Sequence, residues 1–144
     1  MLVSQILKTK KHQDVVTVQP TLTISEAAKI LSEKRIGTVV VSRDGTQPDG
    51  ILSERDIVSE IGRRGAGCLT STVSDLMTSK LVTCSTNDKA DEILMKMTEG
   101  RFRHMPVVEN GKLLGLISLG DVVKARLMEL AMEKDALEGM IMGH

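Results

Sequence analysis

The sequence predicts a mixed α/β (α+β) chain made of two copies of one β-α-β-β-α unit, related by a pseudo-twofold axis and packed sheet to sheet. Three observations predict it. Val16-Thr17-Val18 returns 66 positions later as Val82-Thr83-Cys84, and a fixed period of this size marks a repeated supersecondary unit. The apolar set Ile24, Ala27, Ala28 and Leu31 has the i, i+3, i+4, i+7 spacing of one helix face, and it returns at the same shift as Ala90, Ile93, Leu94 and Met97. Thr38-Val39-Val40-Val41 returns as His104-Met105-Pro106-Val107, and after a one-residue deletion the run Gly50 to Ile57 returns as Gly115 to Val122. A three-stranded sheet with two helices is too small to cover both its faces, so the two units must pack on each other.

Taken in order, each unit opens with a short apolar helical lead-in, Val3 to Leu7 in the first and Val73 to Met77 in the second. A short strand follows. Thr23-x-x-Glu26 is a capping box that starts the first long helix, and Asp88-x-x-Asp91 is its weaker counterpart. The next two strands form a hairpin. Asn110-Gly111 between apolar runs signals a two-residue turn in the second unit, whereas Asp44-Gly45 with Pro48 implies a longer loop in the first. The glycine-rich stretch Gly62 to Gly67 reads as the linker. Residues 1–67 are thus the first unit with its lead-in and linker, and 68–144 the second with a helical C-terminal extension.

Composition excludes several function classes. With 19 basic and 19 acidic residues the net charge is zero, so no long-range field draws the chain to nucleic acid or an anionic membrane. Phe102 is the only aromatic residue, which removes the stacking platforms of single-strand binders. Cys68 and Cys84 are too few for a disulfide framework and share no metal-ligand spacing with His12, His104 and His144, which favours a reducing cytoplasm and no metal. The start of the chain lacks the long apolar run of a signal peptide or membrane span. No nucleophile with a nearby base and no Gly-x-Gly-x-x-Gly is present, so neither catalysis nor a catalytic cofactor is expected.

Three features together resemble the cystathionine-β-synthase (CBS) domain pair, or Bateman module, over nearly the whole chain, from Val3 to about Leu127. They are the Val-Thr-hydrophobic strand start, the run Arg103-His104-Met105-Pro106-Val107-Val108, and the repeated Gly-x-x-Ser-x-x-Asp seen as Gly50-Ser53-Asp56 and Gly115-Ser118-Asp121. The resemblance implies a cleft between the units that binds an adenosine-containing ligand such as AMP, ADP, ATP, NAD(H) or S-adenosylmethionine. It assigns Thr17, Ser53 and Asp56 to the first unit and Thr83, Ser118 and Asp121 to the second, the aspartates for ribose hydroxyls and the serines near phosphate. Arg103 and His104 fall at phosphate-contacting positions beside Met105 and Pro106. The first unit offers Gly37 and Thr38 there instead, and its Arg55 is replaced by Gly120 in the second. One cleft is therefore expected to depend on Arg55 and the other on Arg103 and His104. The resemblance also implies a regulatory role passed on to an effector protein.

Each site residue also has a plainer role. Ser-x-x-Asp is itself a helix cap, although a helix N-terminus is also an anion site. Arg55, a cation in a first helical turn, opposes the helix dipole by roughly 0.3–1 kcal/mol unless an anion sits nearby. It could instead pair with Glu54 or Asp56 at the surface, and His104 could be a partly exposed histidine without a ligand. A stripe including Ile57, Ile61, Val123, Leu127 and Leu130 is expected to be exposed and to support a homodimer. Met128, Met132, Met140 and Met142 are expected to serve helix packing, or else self-association.

Overall fold

A computed structural model describes residues 1–10 and 15–142; His12 and His144 lie outside the described residues. Twelve short elements follow in the order α1 (Val3–Thr9), β1 (Thr17–Val18), α2 (Ile24–Lys34), β2 (Thr38–Val41), β3 (Gly50–Ser53), α3 (Glu54–Arg64), a 3-10 turn (Ala66–Thr70), α4 (Val73–Leu76), α5 (Ala90–Gly100), β4 (His104–Glu109), β5 (Lys112–Ser118) and α6 (Leu119–Ile141). In the first unit β1 runs parallel to β2 and β2 antiparallel to β3, giving one sheet of three strands. The second unit repeats the β2–β3 hairpin as β4–β5.

The second sheet has two strands rather than the three expected, because Cys84 forms only an isolated parallel bridge to Val107. Proline supplies the reason. In the first unit Val40 N–H donates to the Val16 carbonyl at 3.0 Å, but the equivalent residue in the second is Pro106, which has no N–H to give. One ladder bond is lost, and Thr83 is left exposed. The turn between β4 and β5 forms as expected: Asn110 (φ 51°) and Gly111 (φ 77°) both adopt the positive φ of a type I′ hairpin.

Caps fix the helix starts. The Thr23, Ser53 and Ser118 hydroxyls accept from the N–H of Glu26, Asp56 and Asp121, and those carboxylates reach back to the cap N–H groups. The fourth expected cap is absent. α5 starts from Lys89, which has no acceptor, while Asp88 accepts from Ser85 N–H at 2.8 Å instead. The glycine-rich stretch is not wholly a linker either, since Gly62 lies within α3 and Gly65 (φ 79°) ends it.

The lead-in helices are exchanged. Val3 and Ile6 of α1 are buried among Ala90, Ile93, Met97, Met105 and Ile117 of the second unit, while Val73 of α4 is buried among Ile24, Ala27, Leu31 and Leu52 of the first. Backbone bonds repeat the exchange in symmetric pairs. Val3 N–H donates to the Asp88 carbonyl (2.9 Å) as Val73 N–H does to Leu22 (2.8 Å), and Ser4 to Thr86 as Ser74 to Pro20, both at 3.0 Å. The pseudo-twofold axis passes through the pair Thr38 and His104. These are equivalent positions, and their Oγ1 and Nδ1 atoms share a hydrogen bond of 3.1 Å.

Two packing expectations are corrected. Ile57 is buried in the first core rather than exposed, because α3 turns that side toward α2 and the sheet. The four tail methionines are exposed, Met140 at 76%, because α6 continues as a helix beyond both cores. Ile61, Val123, Leu127 and Leu130 are exposed as expected.

Candidate functional site

A cleft of about 570 Å³ opens between the units, within the usual range for small-molecule sites. Its first wall is the start of α3. There Ser53, Glu54, Arg55 and Asp56 meet Gly37 and Thr38 of the neighbouring strand. The second wall comes from the other unit, as Thr78 and Lys80 to Val82 ahead of Thr83 and as Gly100 to His104 at the junction of α5 and β4. Phe102 lines the cleft while packing against the second core, and a Cβ on Gly100 would fall 2.4 Å from its ring.

The polar chemistry of the cleft is uneven. Four cations line it, Arg55, Lys80, Arg101 and Arg103, and none has an ion-pair partner among the described residues. Arg55 therefore does not pair with Glu54 or Asp56. Arg101 is carried in the left-handed conformation (φ 56°) as the C-cap of α5, a geometry that Arg35 repeats in the first unit (φ 53°). Asp56 Oδ2 accepts the Ser53 N–H at 2.9 Å, leaving Oδ1 without a bond among the described residues. Glu54 N–H is taken by the Gly37 carbonyl (2.8 Å) and Asp56 N–H by Ser53 Oγ (3.2 Å), so it is the dipole of the 11-residue α3 that adds positive potential at the same wall.

His104 is half-buried beside these groups. Burial first, and then the nearby Lys10 charge, hold its pKa below the ordinary histidine value; Arg103 acts in the same direction against Asp121 and Glu54. The imidazole is thus neutral at neutral pH and able both to accept and to donate.

The structure brings Gly37, Thr38, Ser53, Arg55, Asp56, Arg103 and His104 into one cleft. The expected division of cations between two clefts is not what the fold builds. Arg55 belongs to one unit and Arg103 to the other, and the dyad turns them toward the same space. Thr17 and Thr83 lie outside this lining, and Met105 and Pro106 are buried, Met105 within the second core. Ser118 and Asp121 also lie elsewhere. Asp121 borders a smaller cavity of about 260 Å³ with Met1, Ile6, Thr9, Lys10 and Lys124.

Sequence reasoning missed Lys80, Leu81, Val82, Arg101 and Phe102. A signal for the first three was present. Lys80 and Leu81 directly precede the repeated strand start Val82-Thr83-Cys84, and Val82 is its first residue, next to Thr83. Among the described residues no three His, Cys, Asp or Glu side chains are grouped to hold a metal, and no helix is long and apolar enough to cross a membrane.

Comparison with known proteins adds the family context. The CBS domain family model matches twice, over residues 3–63 and 73–128. The mitochondrial CBS domain-containing protein CBSX3 of Arabidopsis thaliana is 34% identical over 84% of the chain, which spans 61% of that protein's length. A crystal structure of a CBS-domain-containing protein from Agrobacterium tumefaciens is 48% identical, with a TM-score of 0.82 over 88% of this chain and 99% of that one. A CBS domain protein from Pyrobaculum aerophilum complexed with AMP is 31% identical, with a TM-score of 0.77 over 92% and 99% of the two chains.

Proposed function

The chain belongs to the CBS domain family, and from that premise we propose that it is a non-catalytic regulatory module whose cleft at Asp56 binds an adenine nucleotide and signals the bound state to a partner. One observation carries the reading. Four cations without ion-pair partners among the described residues and one helix N-terminus converge on a cleft with two acidic wall residues, Glu54 and Asp56, of which Asp56 keeps a carboxylate oxygen with no bond among those residues. Concentrated positive charge of this kind is repelled by itself and is relieved by an anionic ligand. AMP, ADP, ATP and NAD(H) all carry phosphate, and the Pyrobaculum relative is a complex with AMP.

In this reading Asp56 Oδ1 accepts from ribose hydroxyls, while Arg55, Arg103 and neutral His104 face phosphate. Ser53 and the α3 N-terminus support them. Lys80 and Arg101 extend the cationic wall, which favours phosphorylated ligands over a sulfonium such as S-adenosylmethionine. Thr17, Thr83, Met105 and Pro106 act indirectly, by setting the strands that carry the walls.

A ligand-independent scaffold is the second reading, favoured by the fully formed capping boxes at Ser53 and Ser118. Thermal melting separates the two. A ligand binding only the folded state stabilises it by roughly 2.7 kcal/mol at a hundredfold excess over Kd, or several degrees. AMP, ADP, ATP, NAD⁺ and NADH are each expected to raise the melting temperature of nucleotide-free protein, and S-adenosylmethionine and GMP to do so less. Flat curves across the adenosine set would favour the scaffold.

For the output we propose a homodimer in the cytoplasm that presents its ligand state to an effector protein. Val58 (68% exposed) on α3 and Leu127 (63%) and Leu130 (49%) on α6 offer apolar surface for a second copy. Light scattering at micromolar concentration is expected to report twice the chain mass, and a monomer there would remove the dimer from the account.

A further inference from the structure

Two aspartates hold equivalent places in the repeat, yet their surroundings differ in three ways. Asp56 borders the open cleft and has no cation partner among the described residues. Asp121 is bound by Lys10, whose Nζ lies 2.9 Å from Oδ2 and donates a second bond to the Leu116 carbonyl at 2.6 Å. Both partners in this ion pair are three-quarters covered.

Lys10 has its own counterpart. The lead-in helices α1 and α4 align Val3 with Val73, which places Lys10 opposite Lys80. Lys80 lines the open cleft with no ion-pair partner among the described residues, while Lys10 reaches onto the β5 backbone and the start of α6. Two of the four cations that serve the open cleft are also missing from the other, while Arg101 keeps a counterpart in Arg35. Arg55 corresponds to Gly120 and Arg103 to Gly37.

From this asymmetry we infer that the site at Asp121 is closed from within by Lys10, so that each chain takes one nucleotide, at Asp56. The inference rests on the nucleotide reading of the open cleft. Lys10 supplies to Asp121 the donor hydrogens that ribose hydroxyls supply to Asp56, and it covers the carboxylate that a ligand would need. The pKa of Asp121 agrees with an occupied carboxylate: burial alone would raise it, but the Ser118 N–H and Lys10 outweigh burial and hold it below the usual value. With glycines in place of Arg55 and Arg103, a reopened site would recognise a nucleoside and gain less from its phosphate than the site at Asp56 does.

Calorimetry on the full chain tests this. Wild-type protein is titrated with AMP, then the AMP-saturated protein with adenosine; Lys10→Met and Lys10→Gln are treated alike, with melting curves to establish that each is folded. The expected result is one AMP per chain and no further adenosine on wild type, and on each variant one AMP at the wild-type site plus a second, weaker site that takes adenosine or AMP. Two AMP per wild-type chain would overturn the inference. So would variants that bind one AMP normally and take no adenosine. Wild-type protein that binds no AMP would instead remove the nucleotide reading itself, and the closed site with it.

Discussion

Replacing Ile6 with alanine is expected to lower the unfolding free energy by about 2–5 kcal/mol, although the residue sits six positions from the start of the chain. The size follows from the exchange of lead-in helices. A seven-residue helix such as α1 is too short to be stable alone, so it forms because its apolar side completes another core. Ile6 is 2% exposed within the second unit's cluster, against Ile93, Met97 and Met105. Truncation there removes three carbons from a packed interior and leaves a cavity that neighbouring secondary structure cannot close. Set against a total stability of about 5–15 kcal/mol for a domain, the loss is large. Urea unfolding gives the measurement, read as a shift of midpoint at constant slope. A change under about 0.5 kcal/mol, the usual range for surface positions, would mean that α1 is not part of the second core.

This exchange was not legible in the sequence, whereas the repeat that organises it was. The similarity of Val3 to Leu7 with Val73 to Met77 established two lead-ins, but apolar periodicity shows only that a face is buried and not which core buries it. Local chemistry was read more completely. Asn110-Gly111 adopts the turn its residue types require, and Thr23, Ser53 and Ser118 cap the helices they precede. The misplaced cap at Asp88 came from a one-residue error in register, since the position equivalent to Thr23 is Lys89. The shortened third strand was legible in principle, because Pro106 stands where Val40 donates a ladder bond.

Within the site, the residue types were legible and their grouping was not. Ser53 and Asp56 are marked by the repeated Gly-x-x-Ser-x-x-Asp, and Arg103 and His104 by the run Arg103 to Val108 that carries the family resemblance. That Arg55 and Arg103 face one space depends on the dyad, which carries the α3 start of one unit against the α5–β4 junction of the other. Lys10 shows the same limit. Nothing in its sequence context separates it from Lys80, and only the fold places one on a carboxylate and leaves the other in the cleft.

Asp56 is proposed to recognise ribose in a bound nucleotide rather than only to cap α3, and the two roles divide cleanly in one substitution. Asp56→Asn keeps an oxygen that can accept the Ser53 N–H, so the helix start survives, but it removes the charged acceptor. Hydrogen bonds to charged groups are worth roughly 1.5–3 kcal/mol, which corresponds to about 10- to 100-fold in affinity. The measurement is calorimetric titration of wild type and Asp56→Asn with AMP and with 2′-deoxy-AMP. The account predicts that AMP binds the variant about 10- to 100-fold more weakly than wild type, and that 2′-deoxy-AMP is weakened on wild type but loses little more on the variant, because the two changes remove the same interaction. Unchanged AMP affinity in Asp56→Asn, together with a lowered melting temperature, would contradict it and leave Asp56 as a helix cap alone.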